Sequence, residues 1–109
     1  MKIDGKTKLT GIIGYPIKHT LSPVFQNAAF KKAGLNWAYL PLLVKSEQLG
    51  FAIKGLKALN FVGINVTMPY KKEVIKYLDE LSPAARIAGA VNTILFKEDG
   101  LVGYNTDGQ

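Results

Sequence analysis

A chain of 109 residues, 48% of them hydrophobic, is sized for one compact domain that buries roughly two-thirds of its unfolded surface without covalent staples. It has no cysteine, which removes disulfides and thiolate metal sites, and its longest apolar runs fall far short of the ~20 residues of a membrane helix. The formal charge is +6, yet the lysines stand singly or in pairs (Lys31-Lys32, Lys71-Lys72) and Arg86 is the one arginine. That pattern argues against a nucleic-acid partner and is compatible with an anionic metabolite. Lys2 is not followed by an apolar stretch of the secretory type, so a soluble, cytoplasmic protein is expected.

In chain order, Leu9 to Tyr15 reads as a first strand with Ile12 and Ile13 buried. Ser22-Pro23 is a helix start, a hydroxyl cap followed by proline at the first helical position. The helix that follows carries Phe25, Ala28, Ala29 and Ala33 on one stripe and stops at Gly34, a left-handed cap. Trp37 to Val44 is a second strand. Ser46 then caps a helix with Leu49, Ala52, Ile53 and Leu56 at helical spacing. Gly50 and Gly55 weaken it by about 1 kcal/mol each relative to alanine, which points to close packing. Phe61 to Val66 is the third strand and Lys71 to Leu78 a short helix. Ser82-Pro83 repeats the cap-plus-proline start before a brief helix ending at Gly89. Val91 to Phe96 and Leu101 to Tyr104 flank Glu98-Asp99-Gly100, a hairpin signal. The fold class expected is α/β: a mixed, mainly parallel sheet flanked by helices on both faces, in three layers, as one domain over 1–109.

The chemistry-bearing residues gather where strands end. Asn65 and Thr67 alternate with Ile64 and Val66, which at a period of two puts both on one face at the carboxyl end of the third strand. Ligands of open α/β sheets bind at that end. Lys71 adds an ammonium, and Asp107 closes the hairpin at another strand end. An amide, a hydroxyl and a cation converging there suit a small polyhydroxylated or anionic ligand. A lysine and an aspartate across a cleft can also exchange a proton with a carbonyl or hydroxyl oxygen. The bland alternatives are a surface lysine and a turn aspartate. Ser22 is equally suited to capping its helix, Asn65 to bonding the following turn, and Asn92 to tying loops together. His19, the one histidine, is read as structural; Tyr15 and Tyr70 as packing; Phe25, Phe30 and Trp37 as core or partner-facing.

Four strings occur in order: Gly14-Tyr15-Pro16-Ile17-Lys18-His19-Thr20-Leu21-Ser22-Pro23, Asn65-Val66-Thr67-Met68-Pro69-Tyr70-Lys71, Ala90-Val91-Asn92-Thr93 and Asn105-Thr106-Asp107-Gly108. Together they resemble the N-terminal, substrate-binding and catalytic domain of shikimate dehydrogenase, from about Thr10 to the end of the chain. The resemblance implies Lys71 and Asp107 as the catalytic pair. It also implies that Asn65, Thr67 and Asn92 contact the ring hydroxyls of the substrate, while Thr20 and Ser22 hold its carboxylate. A carboxylate there would meet the free N–H groups and positive dipole end of the helix starting at Pro23. Thr20 stands where the family usually has serine, and Gln26 where histidine is typical.

The family's reaction is NADPH-dependent, reversible reduction of 3-dehydroshikimate to shikimate in aromatic amino-acid biosynthesis. Its NADP(H) sits on a separate Rossmann domain on the order of 100–150 residues long, and no G-x-G-x-x-G follows a strand here. The chain is therefore expected to be an isolated or truncated domain with no cofactor bound, inactive in the redox reaction alone and prone to self-association through the face left by the missing domain. Two other readings stay open: a quinate/shikimate dehydrogenase of broader scope, and a non-catalytic binding module for shikimate-like acids.

Overall fold

The computed structural model describes residues 2–107; Gly108, the last residue of the fourth string, lies outside them. Six strands form one sheet: β1 (Lys8–Gly14), β2 (Trp37–Leu43), β3 (Gly63–Val66), β4 (Glu80–Leu81), β5 (Thr93–Lys97) and β6 (Gly100–Tyr104), in the spatial order β2-β1-β3-β5-β6-β4. The pairs β1–β2, β1–β3 and β4–β6 are parallel, whereas β3–β5 and β5–β6 are antiparallel. The three helices are α1 (Ser22–Lys32), α2 (Leu49–Ala58) and α3 (Pro83–Ala88). This is the mixed, mainly parallel α/β sheet expected, with the two-residue strand β4 as an addition that no periodicity could reveal. No helix among the described residues is long and apolar enough to cross a membrane.

Helices cover both faces, unequally. On one face Leu49, Ile53 and Leu56 of α2 and Ala85 of α3 pack on Ile13, Ile64, Val66 and Ile94, with Tyr70, Val74 and Val91 closing the layer. On the other, α1 alone covers the β1–β2 end, where Phe30 meets Ile12, Ile17 and Tyr39. Gly50 does pack closely: a Cβ there would meet the Tyr77 ring at 3.0 Å. The same expectation fails for Gly55, which has nothing within 4 Å.

Capping separates the two Ser-Pro sequences. Ser82 caps α3, its hydroxyl accepting from the Ala85 N–H at 3.1 Å, and Gly89 ends the helix at φ 65°. Ser22 does not cap α1. The helix begins one residue earlier, and the Leu21 carbonyl accepts from the Val24 and Phe25 N–H groups at 3.1 and 3.3 Å. The stripe Phe25, Ala28, Ala29, Ala33 is corrected as well, since all four are exposed and Asn27 and Phe30 turn to the sheet instead. Asn27 explains the choice. Its Nδ2 donates to the Tyr39 carbonyl at 2.9 Å and its Oδ1 accepts from the Tyr39 N–H at 2.8 Å. A half-buried amide thus pairs backbone groups that edge strand β2 would otherwise leave open.

Ser46 is not a cap either; residues Ser46–Gln48 form a 3-10 turn ahead of α2, and no side chain caps either helix. The helix expected at Lys71 to Leu78 is a 3-10 turn over Glu73–Tyr77, so Lys71 precedes it on an irregular link.

Candidate functional site

β1 and β3 run parallel, β5 returns against β3 with Thr93 opposite Asn65, and β6 returns against β5 with Tyr104 opposite Thr93. One end of the sheet therefore collects the link after β1, the residues after β3, the start of β5 and the residues after β6. Every sequence-predicted site residue lies there. Backbone bonds lock the arrangement: Val91 N–H donates to the Lys71 carbonyl at 2.7 Å, Val66 N–H to that of Asn92 at 2.9 Å, and Thr67 N–H to that of Ile13 at 3.0 Å.

Lys71 Nζ donates to Asp107 Oδ2 at 3.0 Å, the two side chains being 37% and 57% exposed. Asn92 Nδ2 donates to the other carboxylate oxygen, Oδ1, at 2.9 Å. The Lys71 hydrogen bond foremost, then that from Asn92, holds the Asp107 carboxyl below the usual carboxylate range, so it is ionised at neutral pH. Asn92, buried just before β5, is the hub. Its Oδ1 accepts from the Thr106 N–H at 3.1 Å and from Thr93 Oγ1 at 3.0 Å, and its Nδ2 also donates to Thr106 Oγ1 at 3.0 Å. Asn92 thus ties loops together and orients Asp107 at once. Asn65 Nδ2 donates to Thr93 Oγ1 at 3.1 Å, while Asn65 Oδ1 accepts from the Tyr39 hydroxyl at 2.7 Å. The bond from Asn65 to the following turn, weighed above, is not made.

Thr67 is half-buried beside Asn65, and its hydroxyl makes no hydrogen bond among the described residues. Thr20 Oγ1 accepts from the Ser22 N–H at 3.3 Å, which leaves the threonine proton free for an anion. With that bond made, Pro23 lacking an N–H and Leu21 accepting from the next two, the first turn of α1 offers no free backbone donors. The expected grip of a carboxylate by this helix end therefore reduces to the two hydroxyls. His19 is exposed and makes no hydrogen bond among the described residues, so it supplies no structural tie. Tyr70 does pack, buried with its hydroxyl donating to the Val44 carbonyl at 2.6 Å. Thr93, Thr106 and Tyr39 were not singled out by the sequence. The first two lie inside the quoted strings; Tyr39 lies in none.

A cleft of about 260 Å³ opens on the α1 face of the sheet, where Tyr39, Asn65, Thr93 and Gln26 supply polar groups among Phe30 and Trp37. It runs along the sheet from the site's inner wall, and Lys71 and Asp107 do not line it. Gly14, the glycine that ends β1, leaves no room for a dinucleotide. Its pyrophosphate needs backbone approach at a glycine-built turn, but a Cβ at Gly14 would lie 2.5 Å from Thr67 Cγ2 and 3.1 Å from the Met68 carbonyl oxygen, so protein already fills that space. No group of three or more potential metal ligands occurs among the described residues.

Residues 12–94 match the family model of the shikimate dehydrogenase substrate binding domain. The NADP(+) shikimate dehydrogenase of Carboxydothermus hydrogenoformans is 61% identical over 107 residues, covering 98% of this chain and 38% of that protein. A crystal structure of a shikimate dehydrogenase in complex with NADP+ superposes with a TM-score of 0.95 at 50% identity, over 98% of this chain and 37% of the other. The shikimate 5-dehydrogenase of Listeria monocytogenes, in complex with shikimate and NAD, gives 0.95 at 46% identity, over 99% and 37%. The chain thus spans little more than a third of the length of the relatives it matches.

Proposed function

The chain belongs to the family of shikimate dehydrogenase substrate-binding domains, and from that premise we propose that it holds shikimate and 3-dehydroshikimate for their NADPH-linked interconversion in aromatic amino-acid biosynthesis. The observation that carries this reading is the Asp107 carboxylate held on one oxygen by Lys71 at 3.0 Å and on the other by Asn92 at 2.9 Å. An ammonium and an ionised carboxylate so joined can pass a proton to or from the ring oxygen whose carbon changes oxidation state. Lys71 donates toward that oxygen as negative charge develops there, and Asp107 keeps the lysine charged and aimed. Asn65, Thr67 and Asn92 hold the ring hydroxyls, and Thr20 and Ser22 the carboxylate.

NADP(H) supplies the hydride chemistry when bound, and the residues of this chain do not fit it. We assign the cofactor to a part of a longer protein, whose substrate-binding domain is residues 1–109. Binding is the share of the reaction that this chain supports alone, and turnover requires the cofactor-holding part. The cytoplasm is the compartment this reading assigns.

Titration of the chain with shikimate, followed by amide NMR, tests it. Saturable shifts at Thr20, Ser22, Asn65, Thr67, Lys71, Asn92 and Asp107, weakened in Lys71→Ala, are the expected result. Shifts centred elsewhere, or none at millimolar ligand, would overturn the substrate assignment for this chain.

A further inference from the structure

The polarity of the site's hydrogen bonds can be fixed from a single group. The Thr106 backbone N–H can only donate, and it donates to Asn92 Oδ1 at 3.1 Å, which fixes the way the Asn92 amide faces. Thr93 Oγ1 lies 3.0 Å from that same oxygen and must therefore donate its proton to it. With its proton used, Thr93 can only accept from Asn65, so Asn65 Nδ2 faces Thr93 at 3.1 Å. Asn65 Oδ1 then faces Tyr39, and the phenol must donate across their 2.7 Å. The direction of every bond from the Tyr39 hydroxyl to the Asp107 carboxylate is thereby determined.

We propose that Tyr39 is a positioning residue of this site: its hydroxyl, donating to Asn65 Oδ1, holds that amide in the facing that Thr93 and Asn92 require, and so steadies the bonded chain that ends on Asp107. The proposal rests on the reading of the site given above. Three observations support it. Tyr39 is held independently of the site, its backbone clamped twice by Asn27 and its ring packed among Ile12, Ile17 and Phe30. It lines the cleft beside Asn65 and Thr93. Burial pushes its pKa up to about 12, so the phenol remains a donor through the physiological range. The chain of bonds orients and does not conduct, because the two amides in it have no proton to relay without tautomerising. Its consequence for recognition is directional. Asn65 has one Nδ2 proton on Thr93 and the other directed to the Asn92 carbonyl at 3.4 Å, so what remains for a ligand is a lone pair on Oδ1. A ligand group that meets it there has to be a donor, as a ring hydroxyl is and an ether or ketone is not.

Tyr39→Phe tests this in the chain itself, since the ring contacts survive and only the hydroxyl is lost. In the ligand-free protein, side-chain amide NMR is expected to show the Asn65 and Asn92 NH₂ signals displaced and their exchange with solvent accelerated. Shikimate affinity is expected to fall about tenfold, the scale of one oriented hydrogen bond. Thr93→Val, which cuts the next link, should displace the same Asn92 signal, with the double variant no worse than either single one. Unchanged Asn65 and Asn92 signals in a folded Tyr39→Phe protein would overturn the proposal, as would unchanged affinity. Should Tyr39→Phe fail to fold, Thr93→Val decides alone: an undisplaced Asn65 signal there would refute the coupling. Failure of the unsubstituted chain to bind shikimate refutes the substrate reading instead, and the ligand-free amide signals still decide the role of Tyr39.

Discussion

Replacing Asn92 by alanine removes the hub of the site while leaving every charged group in place. The side chain bonds three neutral groups: the Thr106 N–H at 3.1 Å, Thr93 Oγ1 at 3.0 Å, and Thr106 Oγ1, which lies 3.0 Å from Nδ2 and 3.3 Å from Oδ1. Each contributes about 0.5–1.5 kcal/mol net. Thr106 is exposed, so its two groups can turn to water and belong at the low end of that range, whereas Thr93 is half-buried and cannot turn as freely. The sum is about 1.5–3 kcal/mol, which in a domain of this size lowers Tm on the order of 10 °C. Urea unfolding followed by the fluorescence of Trp37, the single tryptophan, measures it. Trp37 packs against Phe30 at a tilt of 54°, with ring centroids 5.6 Å apart, and reports the β2–α1 end rather than the mutated one. A loss at that distance is therefore global. A loss below about 0.5 kcal/mol, the level of an ordinary surface substitution, would refute the view that Asn92 holds these loops together.

Lys71→Met is expected to raise the Asp107 pKa toward its ordinary value, because the Lys71 hydrogen bond is the first cause of its depression; a carboxyl-carbon NMR titration reads this, and an unmoved pKa would show that Asn92 alone sets it. Since the folded-state pKa is the lower one, the ionised carboxylate favours the fold above the unfolded carboxylate range and loses that effect as pH falls through the folded value; the stability difference between Lys71→Met and the parent should accordingly vanish in acid. Gly103→Ala is expected to cost about 1–3 kcal/mol by overpacking. A Cβ there would lie 2.6 Å from Leu78 Cδ1 and 2.8 Å from Val91 Cγ2, and an unfolding midpoint equal to the parent's would show that β6 and its neighbours can part without loss.

The site was legible because its residues occupy strand ends, and strands announce themselves by their alternation. Asn65 and Thr67 could be placed together from periodicity alone, whereas Asn92 entered the site through the resemblance. α1 was legible only in outline. Both Ser-Pro sequences predict a capping serine, yet only Ser82 caps, because before Ser22 the Leu21 backbone is already helical at φ −100° and its carbonyl takes the first N–H groups. That leaves the Ser22 hydroxyl outside the capping of α1. The buried face of α1 was misread for a related reason. A helix beside an edge strand has backbone groups to satisfy, and an asparagine does that where the alanine stripe cannot. Tyr39 was beyond reach from sequence, since its role depends on register. Thr10 is partnered by Tyr39 on one side and Gly63 on the other, and Ile12 by Asn65, so a long side chain from β2 can cross β1 to reach β3.

The site divides its work between two kinds of group. Lys71 and Asp107 carry the charge and are substantially exposed, and an ion pair in that setting contributes little to stability and holds its own geometry poorly. The groups that aim it, Asn92, Thr93, Asn65 and Tyr39, are neutral, buried or half-buried, and bonded to one another in a fixed direction. Desolvating the lysine and carboxylate would have made the pair rigid at the cost of burying charge. Leaving them in contact with water and orienting one carboxylate oxygen from below achieves the aim without that cost. It also makes the two failures separable: substitution of the charged residues should remove the proton exchange proposed for them and leave the fold stable, whereas substitution of the neutral ones should weaken the fold and the site together.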